Sequence, residues 1–242
     1  LKFKGIYCGK LRRYFSLKNL VDLFKTPVGV IQALFAIRKF KPDTIFCKGG
    51  FVSFPVSVAG CLLKKRVILH ESDVVPGLAN RLAAKYASLI LVSYEDSKKY
   101  FVGKPCVVTG NPVRKDLLTG TKENGYKLTG FDNKKPIILV TGGSQGSAFL
   151  NDLVLNNIGD LLSKYQIIHL CGKGNANSTN IVGYKQFEFL KDELKDIYTI
   201  TDLVISRAGA NALAEIKEIG IPAILFPLGT SASRGDQLIN AE

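Results

Sequence analysis

The 242-residue sequence has no methionine and only two histidines, His70 and His169. Without a methionine the sequence is expected to come from the middle of a longer protein. Its final DQLINAE has the pattern of a helix stopped after two turns without a cap. Five cysteines, at positions 8, 47, 61, 106 and 171, form no CxxC pair. That excludes a zinc ribbon and a disulfide framework, and fits reduced thiols in a cytosol. No histidine cluster or carboxylate pair has metal-ligand spacing, so no metal held by the protein is expected. Long apolar runs are missing as well. The uncharged stretch 49–63 contains Pro55 and Gly60, no uncharged stretch exceeds 16 residues, and a membrane-spanning helix needs about 20 apolar residues.

Acid is scarce where base is abundant. The net charge is +13, with residues 1–150 carrying +16 and the remaining 92 carrying −3. A basic half joined to a near-neutral half suits contact with a polyanionic surface, or is a solvated lysine-rich surface and no more. No nucleic-acid motif occurs and the charge does not interleave with aromatics along one element, so no nucleic-acid partner is expected. With 46% hydrophobic and 22% charged residues, the chain can bury a sizeable core, as one large or two modest domains.

One grammar recurs four times: a short β-branched run, a turn, then a helical pattern. It is found at 44–47 with a helix over 53–63, and at 137–140 with a helix over 147–157. It returns at 203–206 with a helix over 212–219, and more weakly at 67–69 with His70-Glu71-Ser72-Asp73 as the turn and a helix over 77–86. Further strands are expected at 89–92, 107–109, 166–170 and 223–226. Strands alternating with helices of this length predict βαβ units and parallel sheet. The polar, glycine-bearing stretch 119–135 lacks periodicity. It is expected to be a linker between an α/β domain over 1–118 and a second over 136–242, two Rossmann-like domains facing across a cleft.

Three turns invite chemistry. Glycines at 142, 143 and 146 follow a predicted strand and precede a helix. Such a turn brings backbone N–H groups and a helix N-terminus to an anion such as a diphosphate, or is simply a tight βα connection. It is neither a Walker loop nor the GxGxxG fingerprint. In Arg207-Ala208-Gly209-Ala210-Asn211, small residues leave room for a ligand and Asn211 is a candidate cap. Glu215, one turn later, either accepts two vicinal hydroxyls, as on a ribose, or complements the helix dipole. Arg114, in Gly110-Asn111-Pro112-Val113-Arg114, closes the first series. His169 lies inside an apolar strand and reads as a core residue, whereas His70 points to the carboxyl end of its sheet.

Gly49-Gly50-Phe51-Val52-Ser53-Phe54-Pro55, His70-Glu71, Pro76-Gly77-Leu78-Ala79-Asn80, Thr109-Gly110-Asn111-Pro112-Val113-Arg114, Gly142-Gly143-Ser144-Gln145-Gly146 and Ser206-Arg207-Ala208-Gly209-Ala210 occur in that order. Together they resemble the MurG family, bacterial N-acetylglucosaminyltransferases that convert lipid I to lipid II in peptidoglycan synthesis. The resemblance runs from Gly9-Lys10-Leu11-Arg12-Arg13 to Gln237. It implies the glycosyltransferase B fold, with UDP-N-acetylglucosamine held by the second domain and the undecaprenyl-linked acceptor by the first.

Carried onto this sequence, the donor would meet Gly143, Ser144, Gln145, Ala210 and Asn211, with Arg114 reaching it from the junction. The backbone at Leu190 would read the uracil, Glu215 the ribose hydroxyls and Gln237 the sugar. The acceptor would meet Gly49, Gly50, His70, Glu71, Asp73 and Asn80. Asp73 stands where the family commonly has Asn, and Ala212 where it often has Thr. The family's glycine-rich loop with the candidate general base would lie upstream of Leu1, so these residues alone are expected not to turn over. His70 is the remaining candidate base and a poor one, since it follows a different strand. No cofactor is implied, and Mg²⁺ riding on the diphosphate stays open. The basic half, including residues 10–15 and 30–41, implies a peripheral place on the cytoplasmic face of the cell membrane, against anionic lipid. Other functions compatible with the fold are another UDP-sugar-dependent transferase or epimerase, and a non-catalytic donor-binding subunit.

Overall fold

The computed structural model describes residues 3–9, 17–143, 145–176, 181–229 and 235–242, with 17–24 described by backbone alone. The chain forms two compact units, Leu1–Asn111 and Pro112–Glu242.

Unit 1 contains α1 (Leu17–Phe40), β1 (Thr44–Cys47), α2 (Ser53–Leu62), β2 (Arg66–Glu71), α3 (Leu78–Ala84), β3 (Leu89–Val92) and β4 (Cys106–Val108). Its four strands pair in sequential order, all parallel. Among the described residues β1 is an edge strand, and its side chains alternate: Ile45 and Cys47 face the core, while Thr44 and Phe46 are exposed. The inner strands β2 and β3 contribute Val67, Leu69, Ile90 and Val92, against which α1 lays Ala33 and Ile37. The apolar-basic run 30–41 is thus mostly the last part of a 24-residue helix, with one face on the core.

Unit 2 contains α4 (Lys122–Thr129), β5 (Ile137–Thr141), α5 (Ala148–Asn156), α6 (Ile158–Lys164), β6 (Gln166–Leu170), β7 (Tyr184–Phe187), α7 (Leu194–Ile200), β8 (Leu203–Ser206), α8 (Ala210–Ile219), β9 (Ala223–Leu225) and α9 (Asp236–Ala241). Its sheet, also all parallel, runs β7-β6-β5-β8-β9. The central strand β5 has Ile137, Ile138, Leu139 and Val140 all buried. A strand covered on both faces reads as a continuous apolar run rather than an alternation.

Two expectations are corrected. Residues 119–135 are not a linker, and the division falls at Asn111/Pro112 instead of 118. Leu117 enters the unit 2 core, and α4 forms within the expected linker, its start capped by the Thr121 hydroxyl and its end by Gly130 at φ 73°. The Thr121 N–H donates to Asp196 Oδ1 of α7 at 2.8 Å. α4 is polar on most of its surface, and the side chains that anchor it, Tyr126 and Leu128, pack against the unit 2 core. The second correction is that β2 continues through Glu71, paired with Val92 of β3, so His70 and Glu71 sit on the strand rather than in the turn after it.

Asp196 is 8% exposed, and D196A removes the hydrogen bond its carboxylate accepts from the Thr121 N–H, so it should destabilise unit 2 by about 1–3 kcal/mol. Urea unfolding followed by circular dichroism measures this. Tryptic cleavage after Lys122 or Lys127 should be slow in the parent chain and faster in the variant.

Candidate functional site

In unit 2 the chain leaves β5, builds β6 and β7 to one side, then β8 and β9 to the other. Open parallel sheets bind ligands beyond the carboxyl ends of their strands at such a reversal. The Gly142–Gly146 turn stands there, with Gly143 at φ 82° and Gly146 at φ 74°. A Cβ on Gly146 would lie 2.3 Å from the Cys171 carbonyl oxygen, so only glycine lets the turn pack on the end of β6. Ser147 caps α5, its Oγ accepting the Leu150 N–H at 3.3 Å. The same oxygen accepts from Arg207 Nε (3.0 Å) and Nη2 (2.7 Å), while Arg207 Nη1 donates to the Phe226 carbonyl at 3.0 Å. The guanidinium also lies over the Phe149 ring. Arg207 therefore braces the turns after β5, β8 and β9 against one another.

Gly143, Gln145, Gly209, Ala212 and Gln237 line a cavity of about 460 Å³ at this end of the sheet. Gln237 is held by its Oε1, which accepts the Leu228 N–H at 3.0 Å. Ser144 lies outside the described residues. Helix α8 starts at Ala210 with Gly209 in the cap position and no side-chain cap. Asn211 is therefore in the first turn and is not the capping residue its type suggests. Glu215 follows Ala212 by one turn. It is half-buried and accepts from the Tyr198 hydroxyl at 3.3 Å. Burial raises the Glu215 pKa, opposed by the Tyr198 hydrogen bond and the charge of Arg114. Burial and the Glu215 carboxylate raise that of Tyr198. Arg114 thus acts on both groups. Its Nη2 donates to the Lys191 carbonyl at 2.9 Å, next to Leu190, whose side chain is buried in the core. Asp116 and Asp192 lie 3.8 and 3.9 Å from Nη1. These exposed pairs contribute little to stability.

His169 is a core residue, 1% exposed, as its strand pattern suggests. It contacts the Tyr184 hydroxyl through Nδ1 (2.9 Å) and Asn151 Oδ1 through Nε2 (3.0 Å). Asn151 Nδ2 passes the chain on to the Cys171 carbonyl at 3.0 Å, beside Gly146. With Oδ1 an acceptor only, the proton belongs on Nε2, and Tyr184 donates to Nδ1.

In unit 1 the polar groups gather at the ends of β1 and β2. Gly49 and Gly50 take φ 104° and 82°. Ser53 donates to the Gly49 carbonyl at 2.7 Å. Glu71, 3% exposed, accepts the Asp73 N–H on Oε1 (3.0 Å) and Asn80 Nδ2 on Oε2 (2.8 Å). Burial raises its pKa against these hydrogen bonds. Asn80 is 6% exposed and packs where a Cβ on Gly49 would stand. Its Oδ1 is buried with no hydrogen-bond partner among the described residues. His70 Nε2 lies 3.0 Å from the Gly110 carbonyl, and its Nδ1 3.1 Å from Lys48 Nζ.

The structure thus groups Gly49, Glu71, Asp73 and Asn80, with His70 adjoining on β2. In unit 2 it groups Gly143, Gln145 and Gln237, with Ala210 and Glu215 on the bordering helix and Arg114 beside Lys191. Sequence reasoning passed over Lys48, Asn151 and Tyr198. Lys48 had a signal, since it directly precedes the glycine pair at a strand's carboxyl end. The other two had none, because their partners are 15 or more positions away in the chain.

Comparison with known proteins adds the family. The glycosyltransferase family 28 N-terminal domain matches residues 1–92, and the glycosyltransferase family 28 C-terminal domain matches residues 137–242. The chain is 50% identical over 244 residues to UDP-N-acetylglucosamine--N-acetylmuramyl-(pentapeptide) pyrophosphoryl-undecaprenol N-acetylglucosamine transferase 2 of Bacillus cereus, covering 100% of this chain and 69% of that protein. It is 49% identical over 243 residues to the correspondingly named transferase of Clostridium botulinum, again covering 69% of it. Among solved structures, MurG of Acinetobacter baumannii superposes with a TM-score of 0.66 at 24% identity, over 91% of this chain and 62% of that one. A UDP-GlcNAc 2-epimerase from Neisseria meningitidis, bound to UDP-GlcNAc, gives 0.61 at 16% identity, over 89% and 66%. At these identities the two structures speak for the fold alone.

Burial holds the His169 pKa down at about 4. The folded state resists a proton that the unfolded chain takes up near pH 6.5, so stability falls as pH drops from about 6.5 to 4. The loss attributable to His169 should approach about 3 kcal/mol. Thermal melts of the parent and H169Q across this range measure it. H169Q should be less stable at pH 7 and should show a shallower acid slope.

Proposed function

The chain belongs to glycosyltransferase family 28, among the UDP-N-acetylglucosamine--N-acetylmuramyl-(pentapeptide) pyrophosphoryl-undecaprenol N-acetylglucosamine transferases of the MurG family, and we propose that it carries out their transfer as an inverting enzyme. The observation that carries the site assignment is the cavity at the β5 reversal, where a glycine turn, a capped helix N-terminus and the start of α8 meet. UDP-N-acetylglucosamine binds there. Its diphosphate faces the turn residues Gly143 and Gln145 and the first N–H groups of α5, while Ser144, assigned to the donor by the family resemblance, lies outside the described residues. The helix start at Ala210 and Asn211 borders it, Glu215 accepts the ribose hydroxyls, and Gln237 orients the sugar. The backbone at Leu190, braced through Lys191 by Arg114, reads the uracil.

The undecaprenyl-linked acceptor belongs to unit 1. Gly49 and Gly50 give its diphosphate close approach, and the unpartnered Asn80 Oδ1 takes a hydroxyl or amide proton from its sugar. Glu71 fixes Asn80, with Asp73 holding Glu71. The acceptor hydroxyl attacks the anomeric carbon from the face opposite UDP. A base takes the hydroxyl proton, and the bond to the diphosphate oxygen breaks. Negative charge then grows on UDP, where each positioned N–H donor is worth about 3–4 kcal/mol in a dry site. The proposal includes no metal held by the protein; Mg²⁺ would arrive on the diphosphate.

The membrane is the third partner in this reading. Val28, Ile31 and Phe35 are exposed at helical spacing on α1, bordered by exposed Lys25, Arg38 and Lys39. Residues 10–15 lie outside the described residues. No helix among the described residues is long and apolar enough to cross a membrane. The α1 stripe is placed against the cytoplasmic leaflet, each nearby basic residue contributing about 1 kcal/mol with anionic lipid.

Two measurements test the donor and membrane assignments. By titration calorimetry on the full-length protein, E215A should weaken UDP binding by roughly 1–3 kcal/mol. Unchanged affinity would return Glu215 to the helix-dipole role. In vesicle sedimentation, the protein should bind anionic vesicles, release at high salt, and lose binding in I31D/F35D. Equal binding to neutral vesicles would refute the electrostatic part.

A further inference from the structure

Lys48 is not among the residues to which the transfer reading gives a role, yet it is the most connected side chain at the end of β1. Its ammonium donates to His70 Nδ1 at 3.1 Å, to Asn111 Oδ1 at 2.7 Å and to Ser72 Oγ. Three protons meet three acceptors, and all three acceptors are neutral. They come from β2, from the turn after β2, and from the last residue of unit 1 before the chain passes into unit 2. An ammonium has nothing to accept with, so the His70 nitrogen facing it carries no proton. The ring proton is then on Nε2, where the Gly110 carbonyl receives it at 3.0 Å. Both faces of the imidazole edge are used, and the side chain is 1% exposed.

We propose that Lys48 is a positioning residue of the transferase: it locks His70 as the neutral Nε2–H tautomer and pins residues 110–111, the start of the connection between the units, to the carboxyl ends of β1 and β2. His70 is consequently a strut and not the general base. To act as base it would have to take a proton on Nδ1, setting two cations in contact. Burial lowers its pKa first, the Gly110 hydrogen bond opposes this, and the Lys48 charge lowers it further. The Phe46 ring, from β1, lies 6.3 Å from it, centroid to centroid. Glu71 and Asp73 act on Lys48 from the side of β2 and favour its charged form against burial. The kinetic part rests on the transferase reading, but the tautomer does not.

The test is ¹H–¹⁵N correlation of the histidine rings in the labelled full-length protein, with the His70 signal assigned by its loss in H70Q. The parent should show the Nε2–H pattern and stay neutral below the usual histidine midpoint. K48M should release Nδ1, giving mixed tautomers and a higher midpoint, while K48R should keep the parent pattern. In transfer assays, K48M should lower kcat/KM for the acceptor roughly ten- to a hundredfold, with KM for UDP-N-acetylglucosamine unchanged and partial rescue by K48R. An Nδ1–H pattern or a charged ring at neutral pH in the parent would overturn the lock. So would a His70 spectrum that K48M leaves alone. A changed spectrum with unchanged acceptor kinetics would overturn the positioning role. The spectra need no turnover, so failure of the transferase reading would be seen separately.

Discussion

A central strand buried on both faces is the constraint on which unit 2 depends. β5 pairs with β6 on one edge and β8 on the other, and Ile137 to Val140 are at most 4% exposed. Its backbone groups are therefore committed along its length, and the chain can turn only beyond Thr141. The turns after β5, β6 and β8 are forced into one small region there. Close approach of Gly146 to Cys171 and the Arg207 brace onto Ser147 and Phe226 both follow from that crowding. A helix N-terminus held this firmly presents its N–H groups without further ordering, which is what stabilising a leaving diphosphate requires.

Unit 1 solves a similar problem with polar groups. Its cluster sits at the ends of two neighbouring strands, and Lys48 supplies there the cross-links that Arg207 supplies in unit 2. Lys48 is satisfied by neutral oxygens and a ring nitrogen, while Glu71 is satisfied by an N–H and an amide. Opposite charges thus lie near one another without an ion pair, so the lysine's field is softened but not cancelled. Asn80 Oδ1 is the group left over. Leaving a buried acceptor unpaired costs about 1–3 kcal/mol, a cost that a ligand's proton would remove.

The two units also divide the electrostatics. The net charge of +13 falls in residues 1–111, with residues 112–242 neutral overall, and in the proposed reading unit 2 would meet the donor's diphosphate through backbone N–H groups and a helix end. A lipid surface is wide and is attracted at a distance by summed charge. A nucleotide is small and is recognised by short-range donors in fixed positions.

The strands 44–47, 89–92, 166–170 and 203–206 were legible residue for residue, because β-branched runs between turn residues carry their own signal. So were the glycine turns, since few residues other than glycine take up positive φ readily. The order of motifs, and with it the family, was legible too. The sequence did not disclose that 119–135 folds as part of unit 2, because α4 is polar and owes its place to Asp196 and the unit 2 core. Nor did it disclose that Asn211 falls inside a helix that begins one residue earlier. Lys48 and Arg207 were visible as residue types only, and His169 only as a core residue without its partners. What each one does depends on partners 15 to 63 positions away. Local propensity acts over a few residues and determines which segments become strands and turns. The pairing of a lysine with one particular histidine is decided only when parallel strands bring their carboxyl ends together.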